Sequence, residues 1–330
     1  MNYIKMSPLA GISGMGGGTT GLTFGGAAAP EIQYGGRGII AHKDTGYEYI
    51  TISSTGNSAA FGDQVEETVM GGPISSTSRV VFAGGSYNFD NSTDDMEYVT
   101  PDTTGNGTNF GDLSQSRKRC FGGSDGTRGL SAGGQSATAN SEVDSIEYIT
   151  IATTSNASNF GNGAAALCLL GQVSNDTYAL FGGGGTHGSG SSYGWDDDID
   201  YVTIQTTGNT SKIGDLTEAR GEGACLASPT RGVWCCGRGA NSYRKNILDY
   251  RTLDNSSGNA SDFGDYTWAV NACCGMANET RGVISGGYSN TEGYLKYMKY
   301  ITIASTGNAV TFGNLTGNRS YPSAASGGAV

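Results

Sequence analysis

The chain has little charge, little proline and almost no histidine. Of its 330 residues, 15 % are charged, 6 are Pro and 2 are His. No segment approaches the roughly 18 consecutive apolar residues of a membrane-spanning helix. Metal and acid/base sites need clustered His, Cys or carboxylate side chains, and His42 and His187 lie far apart in the chain. We therefore predict no catalytic residues, no metal, no cofactor and no membrane insertion.

Positive charge is also scarce. Lys and Arg number 19 against 30 Asp and Glu, which gives a net charge of -11. Phosphate backbones repel a strongly acidic protein, so we expect no nucleic-acid partner. The first 26 residues contain one Lys and no apolar core, so they do not resemble a cleaved signal peptide.

The seven cysteines are not arranged as a disulfide framework. Their number is odd, and they include two adjacent pairs, Cys235-Cys236 and Cys273-Cys274. Their spacing matches no conventional disulfide or zinc pattern. We expect free thiols that serve as small buried side chains of inner strands.

Glycine, by contrast, is in excess, and most of it belongs to a repeat of about 50 residues. The chain contains 56 Gly, more than double the usual share of about 7 %. A Tyr-x-Thr triplet recurs at Tyr49, Tyr98, Tyr148, Tyr201, Tyr250 and Tyr300. Twelve residues after each Tyr, an apolar residue precedes Gly, at Phe61, Phe110, Phe160, Ile213, Phe263 and Phe312. An apolar strand that ends in Gly-Gly precedes most of the triplets, and Leu-Ser/Thr-x-x-Arg begins at Leu113, Leu216 and Leu315.

These marks describe short strands joined by turns. Side chains alternate with a period of two through Tyr49, Ile50, Thr51 and Ile52, which is the period of a β-strand. The Thr-Gly-Asn string that follows predicts a tight hairpin turn with residues at positive φ. A repeat of about 50 residues with several strands is typical of the blades of a β-propeller.

The order of the marks resembles the kelch repeat. In that family a hydrophobic strand runs into Gly-Gly, followed by a loop, Glu-Tyr, an aromatic residue, Leu and Arg. The resemblance covers residues 37–330, with Phe here where the family has Trp. The Tyr-Ile-Thr-Ile, Thr-Gly-Asn and Phe-Gly-Asp-Leu strings are also similar to those of kelch-like repeat proteins carried by marine bacteriophages. The repeat and the resemblance together imply an all-β fold, a six-bladed β-propeller.

The two ends of the repeat region are complementary. Arg37 begins the first repeat midway, and residues 319–326 match the innermost strand of other repeats. We expect the C-terminal strand to join the first blade and close a ring of six blades. Residues 1–36, rich in Gly, lie outside the repeat, either as a flexible tail or as an anchor that orders against a partner. The propeller then comprises residues 37–330.

Two sets of charged residues recur with the repeat. They are Arg37, Arg79, Arg128, Arg231 and Arg281 before the Gly-Gly mark, and Glu48, Glu97, Glu147, Asp200 and Asp249 before the Tyr. Such residues can form a charged ring for a ligand. The interpretation we favour is a ladder of ion pairs, within or between blades, that fixes strand register. Tyr178 replaces the Arg and Lys299 replaces the acid in one repeat each, so pairing within every blade is excluded.

The loops between Gly-Gly and Tyr contain the candidate binding residues. Binding sites usually lie on loops of a rigid scaffold, and exposed aromatic rings beside carboxylates are typical of sugar recognition. Alternatively, these rings pack against their own loops or a neighbouring subunit. The acids from Asp196 to Asp198 can hold Ca²⁺ or simply be solvated. The candidates are Tyr87, Phe89, Tyr193, Trp195, Asp196, Asp197, Tyr243, Tyr288 and Tyr294.

These features predict a protein without enzymatic activity. Through the phage resemblance, the first hypothesis is a structural or adhesive virion protein, in a tail fibre, tail or capsid decoration. It is made in the host cytoplasm, binds other virion proteins through residues 1–36 and mediates protein-protein or host-surface attachment. The second hypothesis is a lectin-like propeller that binds a host-surface glycan, on the virion or at an extracellular surface. The third is a kelch-type oxidase, whose copper-binding Tyr and His set has no match in this sequence.

Overall fold

The computed structural model describes residues 34–43, 46–87, 91–136, 141–169, 171–187 and 193–328. These residues form short antiparallel strands joined by turns and loops, so the protein is all-β, as predicted. The one helix in these segments is a 3-10 turn at Ala240–Ser242. Over the same residues, no helix is long and apolar enough to cross a membrane.

Thirty-one strands span the described residues. The first fifteen are β1 (Arg37–His42), β2 (Gly46–Thr51), β3 (Ala59–Gly62), β4 (Gly72–Ser75), β5 (Val80–Ser86), β6 (Ser92–Val99), β7 (Thr108–Asp112), β8 (Arg117–Lys118), β9 (Phe121–Ser124), β10 (Arg128–Ala132), β11 (Gln135–Ser136), β12 (Ser145–Thr150), β13 (Ser158–Asn162), β14 (Gly171–Ser174) and β15 (Tyr178–Gly182). The others are β16 (Gly185–His187), β17 (Tyr193–Trp195), β18 (Asp198–Thr203), β19 (Ser211–Asp215), β20 (Arg220–Gly221), β21 (Ala224–Ala227), β22 (Arg231–Cys235), β23 (Arg238–Gly239), β24 (Lys245–Thr252), β25 (Ser261–Asn271), β26 (Cys274–Ala277), β27 (Arg281–Ser285), β28 (Tyr288–Ser289), β29 (Gly293–Thr302), β30 (Val310–Arg319) and β31 (Ser323–Gly327).

The strands assemble into six four-stranded antiparallel units. Four are separate sheets, with the orders β31-β1-β2-β3, β4-β5-β6-β7, β9-β10-β12-β13 and β14-β15-β18-β19. Two more, β21-β22-β24-β25 and β26-β27-β29-β30, are joined through β28 into one nine-stranded sheet. We number these units 1 to 6 and call their strands first to fourth in the order given. The remaining strands form the two-stranded sheets β8-β11, β16-β17 and β20-β23, in which β11, β16, β17 and β23 lie between the second and third strands of their units in the chain.

The C-terminal strand completes unit 1. β31 pairs antiparallel with β1, from Arg37 opposite Gly327 to Ala41 opposite Ser323, which is the pairing that the sequence predicts. The first strands of successive units also contact one another, from β4 through β9, β14, β21 and β26 to β31, and β31 contacts β4. All five residues of β31 are buried, so this strand belongs to the core.

The Asn of each Thr-Gly-Asn string, or of its equivalents Thr-Ser-Asn at Asn156 and Ser-Gly-Asn at Asn259, joins one unit to the preceding one. In each unit, the donor is the backbone N–H of the second residue after the repeated Phe, whose place Ile213 takes in unit 4. This N–H donates to the Asn Oδ1 of the next unit at 2.9 to 3.2 Å, and unit 6 donates to unit 1 in the same way. The pairs are Asp63–Asn106, Asp112–Asn156, Asn162–Asn209, Asp215–Asn259, Asp265–Asn308 and Asn314–Asn57. The predicted positive φ is present at Gly258 and Gly307, at 155° and 157°, but the prediction is wrong for Gly56, Gly105 and Gly208, which do not have positive φ.

The same contact explains the Gly after each Phe. A Cβ on Gly62 would lie 2.1 Å from the carbonyl oxygen of Gly105, and one on Gly313 would lie 1.9 Å from that of Gly56. The equivalent Gly of the other four units faces a carbonyl oxygen in the same way. Only a residue without a Cβ fits there unless the backbone moves.

Side chains of the first strand of a unit pack against the second strand of the next unit, and large residues there mostly face small ones. In four cases a large side chain faces a Gly on which a Cβ would lie only 2.1 to 2.6 Å away: Ile74 with Gly129, Val173 with Gly232, Leu226 with Gly282, and Met276 with Gly38. At the two remaining equivalent positions the first-strand residue is small and the partner is larger: Ala325 with Val80, and Gly123 with Ala179. Dense packing between units therefore depends on complementary pairs.

The repeated Arg stacks on the repeated Tyr and binds the next unit. The guanidinium carbons of Arg37, Arg79, Arg128, Arg231 and Arg281 lie 4.3 to 4.8 Å from the ring centroid of the Tyr in their own unit. Arg79 Nη1 donates to Ile151 O of unit 3 at 3.0 Å, and Arg281 Nη1 donates to Ile52 O of unit 1 at 3.2 Å. The predicted ladder of ion pairs between these Arg and the acids is therefore wrong. Cation–π contacts and hydrogen bonds to carbonyl groups take its place.

Three of the five acids, Glu48, Glu147 and Asp249, pair instead with the Leu-Ser/Thr-x-x-Arg motif. Glu147 accepts hydrogen bonds from Arg117 Nη2 and from the N–H and hydroxyl of Ser114. Asp249 accepts one from Arg220 Nη1 at 2.9 Å. These ion pairs are buried, so losing one partner leaves an uncompensated charge inside the protein.

In unit 1 the acid is Glu48. It accepts hydrogen bonds from His42 Nε2 at 2.9 Å, Thr316 N at 3.0 Å and Arg319 Nη2 at 3.2 Å. Burial raises the pKa of Glu48, but hydrogen bonds from His42, Ser58 and Thr316 outweigh burial and hold the pKa well below its ordinary value. The carboxylate is thus the form that the folded state favours.

Glu48→Gln is expected to lower the free energy of unfolding by about 3 kcal/mol at pH 7, because Arg319 loses its buried counter-charge. Since the folded-state pKa lies below the unfolded-state value, the carboxylate stabilises the fold above about pH 4.5. That contribution is lost progressively as the pH falls towards the folded-state pKa. Urea denaturation at pH 7, 4 and 3 should show the difference from wild type shrinking; a constant difference would contradict this role.

Candidate functional site

The first strands of all six units line one cavity of about 170 Å³. Near one end, the Tyr34 hydroxyl donates to Ser174 O at 3.0 Å. The other end contains six equivalent residues with φ between 53° and 64°: Met70, Arg119, Leu169, Glu222, Ala272 and Tyr321. From Arg119 onward, the N–H of each donates to the carbonyl oxygen of the one before at 2.7 to 3.2 Å. A belt of backbone hydrogen bonds therefore borders this end of the cavity.

The loops that follow the Gly-Gly marks lie at this same end. Isolated backbone bridges join Val69 to Ser86 and Cys168 to Gly185, one residue before Met70 and Leu169 of the belt. We call this end the loop face. All of the predicted binding residues belong to its loops, so the structure tests which of them come together.

The predicted aromatic residues of units 2 and 4 are held by their own surroundings. Tyr87 is half-buried, and its hydroxyl donates to Asp95 Oδ2 at 2.9 Å. Trp195 is half-buried and packs over Gly221, where a Cβ would lie 2.7 Å from the indole ring. Tyr193 is placed by its backbone, opposite residue 187, and Phe89 lies outside the described residues. Tyr87 and Trp195 thus contact their own surroundings, and their role in binding stays a prediction.

Three consecutive acids follow Trp195. The carboxylate oxygens of Asp196, Asp197 and Asp198 lie within 4.8 Å of one another. Asp198 forms an ion pair with Lys212 at 2.5 Å, and its N–H donates to Asp196 Oδ1 at 2.8 Å. Lys212 and a backbone N–H thus stabilise these acids, and Ca²⁺ binding here stays an alternative to solvated acids.

The predicted aromatic residues of units 5 and 6 present exposed rings. Tyr243 is 65 % exposed and Tyr294 is 58 % exposed, the two highest values for large apolar side chains among the described residues. Tyr288 lies opposite Tyr294 across the β28-β29 pair, with the two rings edge to face and their centroids 5.1 Å apart. Exposed rings on paired strands form a rigid surface for an apolar ligand face.

Arg244 completes this surface, and sequence analysis missed it. Its guanidinium lies 4.4 Å from the Tyr288 ring centroid. Its Nε donates to Asn271 Oδ1 at 2.6 Å, and its Nη1 donates to Asn290 Oδ1 at 2.5 Å. We name Tyr243, Arg244, Tyr288 and Tyr294 the Tyr-Arg patch.

Long strands of units 5 and 6 build the patch. β25 and β29 extend to 11 and 10 residues, and β28 pairs with both. Lys245, next to Arg244, lies opposite Val270, while Asn271 lies opposite Tyr288. The merged sheet therefore sets Arg244, Asn271, Tyr288 and Tyr294 on adjoining strands. In the sequence, the corresponding signal is that Tyr266-Thr-Trp-Ala-Val270 follows Phe263-Gly-Asp, where three other repeats have Leu-Ser/Thr-x-x-Arg.

The cysteines supply no reactive thiol to this face. All seven are free, six are buried and Cys225 is partly buried. Burial raises the pKa of Cys168 and of Cys225 to about 12. Thiols with such pKa values stay protonated at neutral pH and are poor nucleophiles.

Tyr288 and Tyr294 thus come together with Arg244, and Tyr243, another of the nine predicted residues, directly precedes Arg244 in the chain. The other predicted residues with described side chains lie in the loops of units 2 and 4. No known protein family matches the sequence of this chain, and neither does any curated protein.

Proposed function

We propose that the six units form a closed six-bladed β-propeller of kelch-like repeats. The hydrogen bonds between Phe-Gly strands and Thr-Gly-Asn strings support it, because they run from each unit to the next and from unit 6 back to unit 1. The contacts between first strands follow the same cyclic order. Closure protects the edges that an open array of sheets would expose.

On this scaffold the protein acts as a non-enzymatic adhesion protein that binds a saccharide through the Tyr-Arg patch. The observation that carries this proposal is the exposed ring of Tyr294, which packs edge to face on Tyr288 beside Arg244, together with the exposed ring of Tyr243 next to Arg244 in the chain. Tyrosine rings stack on the apolar faces of sugars, and they lose little side-chain entropy when they bind. An open patch suits a polymer or a cell-surface glycan better than a buried small molecule.

The place of action follows from the resemblance to kelch-like proteins of bacteriophages. We assign the protein to the virion surface, where residues 1–36 attach it to other virion proteins and the loop face meets the host. Mass spectrometry of purified particles tests this assignment, and absence from the particles would exclude it.

Tyr243→Ala combined with Tyr294→Ala is expected to weaken glycan binding about thirty-fold, which corresponds to about 2 kcal/mol for two lost stacking contacts. Both side chains are exposed, so the melting temperature should stay within about 2 °C of wild type. A glycan array identifies the ligand, and isothermal titration calorimetry measures the loss.

Val310→Ala is the matched control. Val310 is an exposed apolar residue, 49 % accessible, on the fourth strand of unit 6, so its truncation should leave glycan affinity unchanged. If wild type binds no glycan on the array, the adhesive function through saccharides is refuted and a purely structural role is favoured.

A further inference from the structure

We infer that the Tyr-Arg patch selects saccharides that carry a carboxylate or sulfate group, and that Arg244 binds this group. The inference rests on the proposed function, because it names the class of saccharide for the same patch. It depends on three properties of Arg244: its positive charge, its unused N–H groups and the contacts that hold its side chain in place.

The charge of Arg244 has no acidic partner. Among the described residues, the ion pairs include the neighbouring cations, Arg238 with Glu222 and Lys245 with Glu218, but not Arg244. Its three fixed contacts are a tyrosine ring and two amide oxygens. These contacts hold the guanidinium in place and leave its full positive charge for a ligand.

The hydrogen-bonding capacity of Arg244 is only partly used. A guanidinium has five N–H groups, and Nε and Nη1 each donate one to an Asn. Two N–H groups on Nη2 and one on Nη1 remain. A carboxylate or sulfate accepts two such donors side by side, which is the strongest pairing that an arginine makes. A neutral sugar hydroxyl gains much less from the same donors.

A buried network supports the position of Arg244. Glu222 is 4 % exposed and accepts a hydrogen bond from Asn271 Nδ2. That contact fixes the orientation of the Asn271 amide, so that its Oδ1 faces Arg244 Nε. Because the guanidinium is held before binding, little entropy is lost when the anionic group arrives.

The surrounding charge favours the same ligand. The chain has a net charge of -11, yet the segment from Arg238 to Lys245 contains three cations and no acid. Arg238 and Lys245 are paired with Glu222 and Glu218, and Glu292 lies in the turn between β28 and β29, so Arg244 supplies the attraction of this loop for an anionic polymer. Together, the rings bind the sugar faces and Arg244 adds selectivity for the charged group.

The test compares wild type with Arg244→Gln on three immobilised polymers: polygalacturonate, which carries carboxylates, dextran sulfate, and neutral dextran. We expect wild type to bind one or both charged polymers at least tenfold more tightly than dextran. Arg244→Gln should lose at least tenfold on the charged polymer and change little on dextran. The two charged arms distinguish a carboxylate from a sulfate ligand.

Lys43→Gln is the control for charge, since it removes one cation from the loop after β1 on the same face. It should keep the affinity of wild type. Arg244→Lys retains the charge without the planar donor pair, so it should recover only part of the loss. Competition on wild-type protein by free galacturonic acid and by galactose, which differ by one carboxylate, avoids any effect of a variant on folding.

Any one of three results would overturn the inference and leave the adhesive function standing. They are equal binding of wild type to dextran and to the charged polymers, unchanged binding of the charged polymer by Arg244→Gln, or a loss of affinity with Lys43→Gln that equals the loss with Arg244→Gln. Binding by wild type to no saccharide at all, neutral or charged, refutes the inference and the proposed function together. Tighter binding to a charged polymer that depends on Arg244 supports both.

Discussion

Truncation after Ser320, which removes β31, is expected to lower the melting temperature by at least about 10 °C. β31 is the first strand of unit 1, and it packs on both neighbours: Ala324 belongs to a cluster with unit 6 residues, and Ala325 to one with Val80 of unit 2. Its loss exposes Ile39 and Ile40 of β1, which are fully buried. Exposure of these side chains and loss of the β1 ladder cost about 5 kcal/mol or more.

Differential scanning fluorimetry measures this loss. Truncation after Gly328 retains all of β31 and serves as the control, so its melting temperature should equal that of the full chain. A synthetic peptide of residues 321–330 added to the shorter protein should restore part of the loss, because the pairing surface on β1 remains. An unchanged melting temperature after removal of β31 would refute its role in completing unit 1.

The repeated marks predict strands well because each strand is encoded locally. The Tyr-x-Thr triplets that begin at Tyr49, Tyr98 and Tyr148 lie at the C-terminal ends of β2, β6 and β12, so each marks a strand. The final strand is also predictable, because its sequence matches other first strands. Local patterns determine which residues face each side of a sheet.

The partners of the repeated charges are not predictable in the same way. Arg79 and Glu97 both recur with the repeat, yet Arg79 binds a carbonyl of the next unit. Sequence spacing does not reveal which unit a long side chain reaches. Once the structure is known, one substitution in the repeat can be explained. Unit 6 has Lys299 in place of the acid, and the Lys299 Nζ lies 4.9 Å from the centroid of the Trp268 ring. Trp268 lies in the segment that replaces the Leu-Ser/Thr-x-x-Arg motif.

For a related reason, the sequence predicts only some of the residues of the candidate site. Loop position identifies Tyr243 and Tyr288, but it does not separate them from Tyr87, whose ring is held by Asp95. Arg244 acquires its role from the pairing of β25 with β28, which brings two distant loops together. Such long-range pairing depends on the whole fold and leaves no local mark in the sequence.

Gly129→Val is expected to lower the free energy of unfolding by about 3 kcal/mol, since overpacking of a dense core forces side chains and backbone to shift. A Cβ at Gly129 would lie 2.1 Å from Ile74 Cγ2. Gly129 sits in β10 without a positive φ, so the backbone itself accepts valine. The cost arises from the contact between units 2 and 3.

A double-mutant cycle isolates that contact. Ile74→Ala alone should cost about 3 kcal/mol, because it leaves a cavity in the core. Combined with Gly129→Val, it recreates the Ala325 and Val80 pair that joins units 1 and 2. The double variant should therefore be at least about 2 kcal/mol more stable than the sum of the single effects predicts.

Gly38→Val provides the matched control for this cycle. Gly38 faces Met276 of unit 6, so Ile74→Ala cannot relieve the overpacking there, and the two effects should add within about 0.5 kcal/mol. Urea denaturation of the five variants gives every free energy that the comparison needs. Additive effects in both pairs would mean that Ile74 and Gly129 do not form a complementary contact. Coupling of Ile74→Ala with Gly129→Val but not with Gly38→Val would establish that the glycines of the second strands accommodate side chains of the preceding unit.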